Sequence, residues 1–285
     1  MYGEVIKQIR LNKNLTLKAV YLDVCSKTNA IKFEQGLRIL AADKFNHVLE
    51  NLMITMNEFQ WIQNGYQPNP EHYYEYMISN TWNSNQITAF QQQLHNLEKT
   101  PQSIKRVQLA SYRSLQNYQK KLAPAPKELV IIINYFSNLS TWTLSDVRFF
   151  ANNCSVLPYS LMKNLLHEAL KVQDRYQYYR DSDQIFAIVL SNCLDVMITN
   201  ADYAAASKTL TLLKQQTQNI TMGTFKLFEK YYEAKLDFLH FNKQKGLAEL
   251  KQVQNVAAFL ENKQLIGEIQ ALIANPIINP NQNSK

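Results

Sequence analysis

The chain has 285 residues, 46% of them hydrophobic, with only 6 Gly and 8 Pro. That length suits one large domain or two, and the shortage of turn formers favours long helices over sheet. A net charge of +7 suits a nucleic-acid partner, while the N-terminus lacks an apolar leader and the longest nearly apolar run, 129–133, is far too short to cross a bilayer. The expectation is a cytoplasmic protein with no membrane partner.

The first predicted helix covers residues 1–11, with Val5, Ile6 and Ile9 inward and Lys7, Arg10 and Lys13 outward. A second, short helix starts at Thr16, with Leu17, Val20 and Tyr21 turned in. Ser26 is an N-cap candidate for a third, Lys27–Glu34, which Gly36 ends as a C′ residue with positive φ. A fourth covers 42–49, with Phe45, Val48 and Leu49 inside. A fifth begins at Thr55, whose partner three residues on, Glu58, has capping-box spacing. Phe59, Trp61 and Ile62 make its apolar side.

Five short helices with a tight turn between the second and third match a helix-turn-helix unit. The third would enter the major groove of double-stranded promoter DNA with its N-terminal end toward the bases. Lys27 and Lys32 suit guanine or phosphate, Thr28 and Asn29 base edges, and Ile31 a thymine methyl. Ser26, Arg10 and Lys13 are placed for phosphates, which position a domain without reading sequence. Glu34 is expected to bond backbone or an arginine such as Arg38, and Ala30 and Phe33 to be core. The alternative is a small helical packing domain that never meets DNA.

Residues 64–70, Asn-Gly-Tyr-Gln-Pro-Asn-Pro, are rich in turn formers and predict a domain boundary at 65/66. Helices follow at 70–79, 86–98, 103–121, 128–138, Leu144–Asn153, 160–173, 183–199, 203–218, 224–241, from Gly246, and 265–274. The tail 276–285 is Asn- and Pro-rich and predicts a flexible end. The pair 183–199 and 202–218, then 224–241 and 246–260, repeats at roughly 41–42 residues, as in a tetratricopeptide-like (TPR-like) array. The fold expected is therefore all-α, with a first domain over 1–65 and a helical repeat domain for sensing and dimerising over 66–275.

Stretches of both domains resemble a known family. The run from Cys25 to Gly36, Cys-Ser-Lys-Thr-Asn-Ala-Ile-Lys-Phe-Glu-Gln-Gly, and Ile-Thr-Met-Asn-Glu-Phe ending at Phe59 are similar to the XRE-type helix-turn-helix of the Rgg/MutR regulators of Gram-positive bacteria. In the second domain the resemblance is carried by Val147-Arg-Phe-Phe-Ala-Asn-Asn-Cys154, Asn192-Cys-Leu-Asp-Val-Met-Ile198, Tyr203, Ala206, Phe228-Glu-Lys-Tyr231 and Gly246. Ala30, Ile31, Lys32 and Gln35 depart from the family pattern, which leaves the operator open. The resemblance implies a homodimeric activator or repressor, and for several members a short peptide pheromone bound to the concave face of the repeats.

An extended peptide has unpaired backbone groups that an Asn amide can satisfy by donating and accepting together. Asn152, Asn153 and Asn192 are candidates, with Arg148 and Arg180 for a carboxylate and Tyr179, beside Tyr176 and Tyr178, for an apolar pocket. Structural bridging by Asn192 and ordinary packing by the tyrosines are the competing readings. Cys25, Cys154 and Cys193 form no CxxC and read as free thiols. His47, His72, His95, His167 and His240 show no metal-ligand spacing, and there is no phosphate loop or nucleophile elbow. No enzyme, cofactor or metal is expected. Two other functions remain in play: a ligand-independent regulator whose repeats only dimerise or touch RNA polymerase, and a helical protein-binding scaffold.

Overall fold

Helix boundaries follow from local chemistry. In a computed structural model of the chain, which describes residues 1–67, 76–77, 80–81, 86–98 and 106–276, Thr16, Ser26 and Thr55 each accept the backbone N–H three residues on, at 3.1, 3.4 and 3.1 Å. Each such bond satisfies an orphan donor of the first turn. They open α2 (Leu17–Tyr21), α3 (Lys27–Glu34) and α5 (Met56–Gln63), which join α1 (Tyr2–Asn12) and α4 (Ala42–Asn51). Gly36 leaves α3 with φ +73°, a conformation in which a side chain is strained. No strand occurs among the described residues.

The chain divides into two compact units, Met1–Lys99 and Thr100–Lys285. The division falls later than the 65/66 boundary expected from the turn-rich stretch, because helix α6 (Ile87–Glu98) groups with the first unit. The helix expected at 70–79 and the tail from 277 lie largely outside the described residues.

In the first unit, Ile6, Ile9, Val20, Tyr21, Phe33, Phe45, Val48, Leu49 and Phe59 form one core. Phe45 meets Phe33 and Phe59 edge-on at 6.3 and 5.0 Å, a favoured ring geometry. Trp61, expected inside, is exposed; Phe59 alone of that helix is buried. At Gly3 a Cβ would come within 1.7 Å of the Phe33 carbonyl oxygen, so only glycine lets α1 lie this close to α3.

The second unit stacks helical hairpins: α7 (Arg106–Gln119), α8 (Pro126–Ser137), α9 (Leu144–Asn153), α10 (Tyr159–Lys171), α11 (Ser182–Thr199), α12 (Tyr203–Gln216), α13 (Gly223–Leu236), α14 (Lys243–Phe259) and α15 (Lys263–Ala274). Helices α9, α11 and α13 are successive neighbours, with α12 and α14 paired to α11 and α13. The core is continuous from Phe150 and Met162 through Phe186, Leu190 and Leu194 to Leu250 and Ile269, as a repeat stack requires. Helix α11 is long and apolar enough to cross a membrane by composition, but 61% of it is buried within this unit. The helix expected over 224–241 ends at Leu236 and continues as a π-helical turn, Asp237–Phe241. Gly246 does not begin the next helix. It lies inside it, where a Cβ would meet the Phe238 nitrogen at 2.1 Å.

Candidate functional site

Helix α3 presents Lys27, Thr28 and Lys32 to solvent, with Ile31 half-buried. Asn29 is half-buried, and its side-chain oxygen accepts from the Arg38 guanidinium. The exposed cations Lys27, Lys32, Arg38 and Lys44 thus belong to α3 and the residues following it. Arg38 was absent from the expected set because its pairing with Asn29, nine residues away, requires the turn at Gly36. Ser26 acts as the cap of α3 and keeps its hydroxyl proton free to donate.

Arg10 corrects the expectation of an outward phosphate contact. It is 8% exposed. Nε donates to Glu34 Oε1 at 2.7 Å, Nη2 to Oε2 at 2.8 Å, and Nη1 to the Leu15 carbonyl at 2.9 Å. The two-pronged geometry with Glu34 matches the planar fork of arginine and holds its pKa above the ordinary value. Glu34 therefore pairs with Arg10 and not Arg38. Lys13 donates to the Leu52 carbonyl at 2.6 Å, so it ties α1 to the end of α4 while remaining exposed. Burial raises the Cys25 thiol against the pull of Lys44 and Arg38, which keeps it a poor nucleophile.

In the second unit, Arg148 and Asn152 are both exposed on one side of α9, as their spacing of four requires. Asn192, on α11, is exposed, and its Nδ2 donates to the Ala151 carbonyl at 3.0 Å. The structure therefore brings Asn152 and Asn192 onto adjacent helices, with Arg148 one turn away. The bridging and ligand readings of Asn192 coexist: one proton ties α9 to α11, while its oxygen and second proton stay available.

Asn153 does not join them. It is fully buried, donating to the Phe149 carbonyl at 2.8 Å, with its oxygen unpartnered. Neighbouring helix positions point about 100° apart, so Asn152 and Asn153 cannot share a face. Tyr179 and Arg180 precede α11 and are exposed, Tyr179 edge-on to Tyr176 at 6.0 Å and Arg180 3.6 Å from Asp181. They lie roughly 18 Å along α11 from Asn192 at 1.5 Å per residue. Near them is a polar cavity of about 380 Å³ lined by Gln173, Asp174, Ser182, Asp183 and Gln216.

Two residues beyond the expected set complete the face. Asp195, three after Asn192, accepts from Lys235 Nζ at 2.7 Å. That lysine lies over the rings of Tyr231 and Tyr232 at 5.6 and 5.9 Å. Burial pushes the Tyr231 hydroxyl to about 12. Cys154 and Cys193 are buried and free, and burial, followed by Cys154, raises the Cys193 thiol. No group of three or more His, Cys, Asp or Glu among the described residues could hold a metal ion.

A stack of helical hairpins with polar side chains on adjacent helices, preceded in the chain by a small multi-helix unit, defines an all-helical repeat fold. Residues 72–271 match the family model of the C-terminal domain of HTH-type transcriptional regulator Rgg, and the chain belongs to the Rgg family of transcriptional regulators. A putative transcriptional regulator from Listeria monocytogenes EGD-e is similar with TM-score 0.78 and 22% identity, over 96% of this chain and 95% of that one. The Streptococcus dysgalactiae SHP pheromone receptor Rgg2 matches with TM-score 0.76 at 12% identity, over 97% and 100%. The PrgX/cCF10 complex matches at 0.68 and 17%, over 96% and 98%. At these identities the likeness is one of fold, and it extends across both units.

Proposed function

We propose that the protein is a sequence-specific, cytoplasmic transcription regulator whose activity responds to a short peptide held on the face made by α9 and α11. The observation that carries this reading is the convergence of Arg148, Asn152 and Asn192 on adjacent helices of a stack like that of a pheromone receptor. An amide that keeps an acceptor and a donor free can hold an extended backbone without reading its side chains, and Arg148 can take a carboxylate bidentately. Tyr179 and Arg180, roughly 18 Å along α11 from Asn192, would meet a different part of an extended peptide.

The first five helices serve as the helix-turn-helix domain. Helix α3 faces double-stranded DNA with Lys27, Thr28 and Lys32; Asn29 is presented by its bond to Arg38, Ile31 supplies an apolar contact, and Ser26 and Lys13 flank the phosphates. The protein acts as a homodimer, since one such helix covers only a half-site. The α14 surface bearing Val256, Leu260 and Phe259, the last 87% exposed, is suited to the second copy. No catalytic role is assigned.

The test is DNA selection by the full chain from fragments upstream of its own gene, with and without each short peptide encoded beside that gene, chemically synthesised. Lys27→Ala and Lys32→Ala should each lower affinity and reduce the slope of log affinity against log salt by about 0.9. A peptide that shifts DNA affinity supports the sensor. DNA binding that no such peptide alters favours a ligand-independent regulator, and no protection of any fragment removes the regulator reading.

A further inference from the structure

The candidate ligand face continues beyond Asn192. Asp195 follows on the same side of α11, one turn later, and its side chain is 40% exposed. Its Oδ1 accepts from Lys235 Nζ at 2.7 Å. The lysine side chain is only 11% exposed, enclosed by α13 and the rings of Tyr231 and Tyr232. This difference decides the polarity of the corner. The cation is shut in, while the carboxylate paired with it is the partner that a ligand can reach.

The surroundings have the same sign. Burial would lower the Lys235 amine, but Asp195 and then Tyr231 outweigh it and keep the group charged, with Glu268 of α15 contributing. The hydroxyl of Tyr118 on α7, raised by burial, feels Asp195, Lys235 and Glu268 together. Asp195 and Glu268 both act on this corner beside Lys235. Ser191, four residues before Asp195, is 7% exposed, with its hydroxyl closed off from solvent and without a hydrogen-bond partner; it points about 100° away from Asn192 and belongs to the packed side of α11.

We infer that Asp195, backed by Lys235, is the anchor for a primary ammonium of the ligand, either the peptide's own amino terminus or a lysine side chain. The inference rests on the peptide reading and adds to it a chemical requirement that Arg148, Asn152 and Asn192 do not impose. In this role Asp195 is a specificity determinant: an ammonium placed there gains a charge-assisted bond, whereas an acylated amine loses the charge and leaves the carboxylate desolvated.

The test uses the full chain and three synthetic pools of random short peptides: lysine-free with free amino termini, lysine-free with acetylated amino termini, and acetylated with one lysine. Retained peptides are counted by mass spectrometry. The wild-type protein should enrich free-amine peptides, or lysine-bearing acetylated ones, at least about tenfold over acetylated lysine-free peptides. The arm that is enriched identifies the source of the ammonium. Asp195→Asn should bring the ratio close to one. Because that change leaves Lys235 buried without a counter-charge, the double variant Asp195→Asn with Lys235→Met is measured beside it, helicity and melting confirming the fold. Peptides retained by the wild type without preference for an ammonium, or a preference that survives in a folded variant, overturns the inference while the peptide reading stands. No retention from any pool overturns both.

Discussion

Replacing Arg10 by methionine should damage the first unit's stability and leave the salt dependence of the proposed DNA binding unchanged. Arg10 and Glu34 have side chains 9% and 5% exposed and share two hydrogen bonds of 2.7 and 2.8 Å. Removing only the arginine strands a carboxylate away from water, at a cost of about 3–5 kcal/mol. Whole domains are held by about 5–15 kcal/mol, so the loss is a large share. It should lower the unfolding midpoint of this unit by more than about 10 °C. Arg10→Met combined with Glu34→Leu removes both charges and should recover most of the loss. The residue is about 1 kcal/mol for the Leu15 carbonyl, which loses its donor. Hydrogen exchange over residues 1–67, followed by mass spectrometry, reads this unit separately from the helical stack. The second measurement is the salt dependence of DNA affinity for the double variant. A phosphate contact by Arg10 would reduce the slope by about 0.9; a buried structural pair leaves it unchanged. A reduced slope, or a double variant no more stable than Arg10→Met alone, refutes the reasoning.

Gly3→Ala should destabilise the same unit by about 1–3 kcal/mol or more through overpacking, because the new methyl would meet the Phe33 carbonyl at 1.7 Å; urea melts check it. Asp202 is held at about 2 by the Tyr159 hydroxyl, the Ala205 N–H and Lys163, below its ordinary 3.8. Its folded pKa is depressed, so the stability is present above pH 3.8 and is lost as pH falls from there toward 2. Solvent screening limits it to about 1 kcal/mol, and Asp202→Asn should flatten that part of an acid titration of stability. Asn153→Leu should leave peptide retention unaltered and change stability by less than about 1 kcal/mol, since it exchanges one internal bond and an unpartnered oxygen for apolar packing. A marked loss of peptide retention by the folded variant would return Asn153 to the ligand face.

Features governed by residues within a turn of each other were legible in the sequence. Ser26 and Gly36 bracket α3 because a cap bond and a positive φ are local requirements. The repeat was legible because apolar spacing persists along α11 through α14. What escaped depends on long-range partners. Arg10 lies four residues after Ile6, on the flank of the buried stripe, where a charge is assigned outward by default; Glu34, which makes burial tolerable, is 24 residues away. Asp195 and Lys235 are 40 apart and meet only when α13 docks on α11. Asn152 and Asn153 have the same chemistry, so only the phase of α9 distinguishes the exposed amide from the buried one. The turn-rich stretch at 64–70 and the division between compact units differ because turn-forming residues mark a bend in the chain, whereas a compact unit is defined by which helices share contacts.

The side chains proposed to hold a ligand also tie the stack together, and this bounds how a ligand could act. Asn192 links α11 to α9 through Ala151, and Asp195 links α11 to α13 through Lys235. A ligand that takes over the Asn192 bond forfeits about 0.5–1.5 kcal/mol, and one that weakens the charged pair about 1.5–3. Together these amount to at most about 4.5 kcal/mol, whereas driving a two-state stack from 1:99 to 99:1 takes about 5.5. Exchange of these ties alone therefore cannot operate a complete switch. Any full response needs contacts made in only one arrangement of the helices, because a ligand that binds both equally shifts neither. The half-open carboxylate of Asp195 is a group through which such a difference can arise, since its second oxygen can gain a partner while the first keeps the Lys235 bond that now holds the helices together.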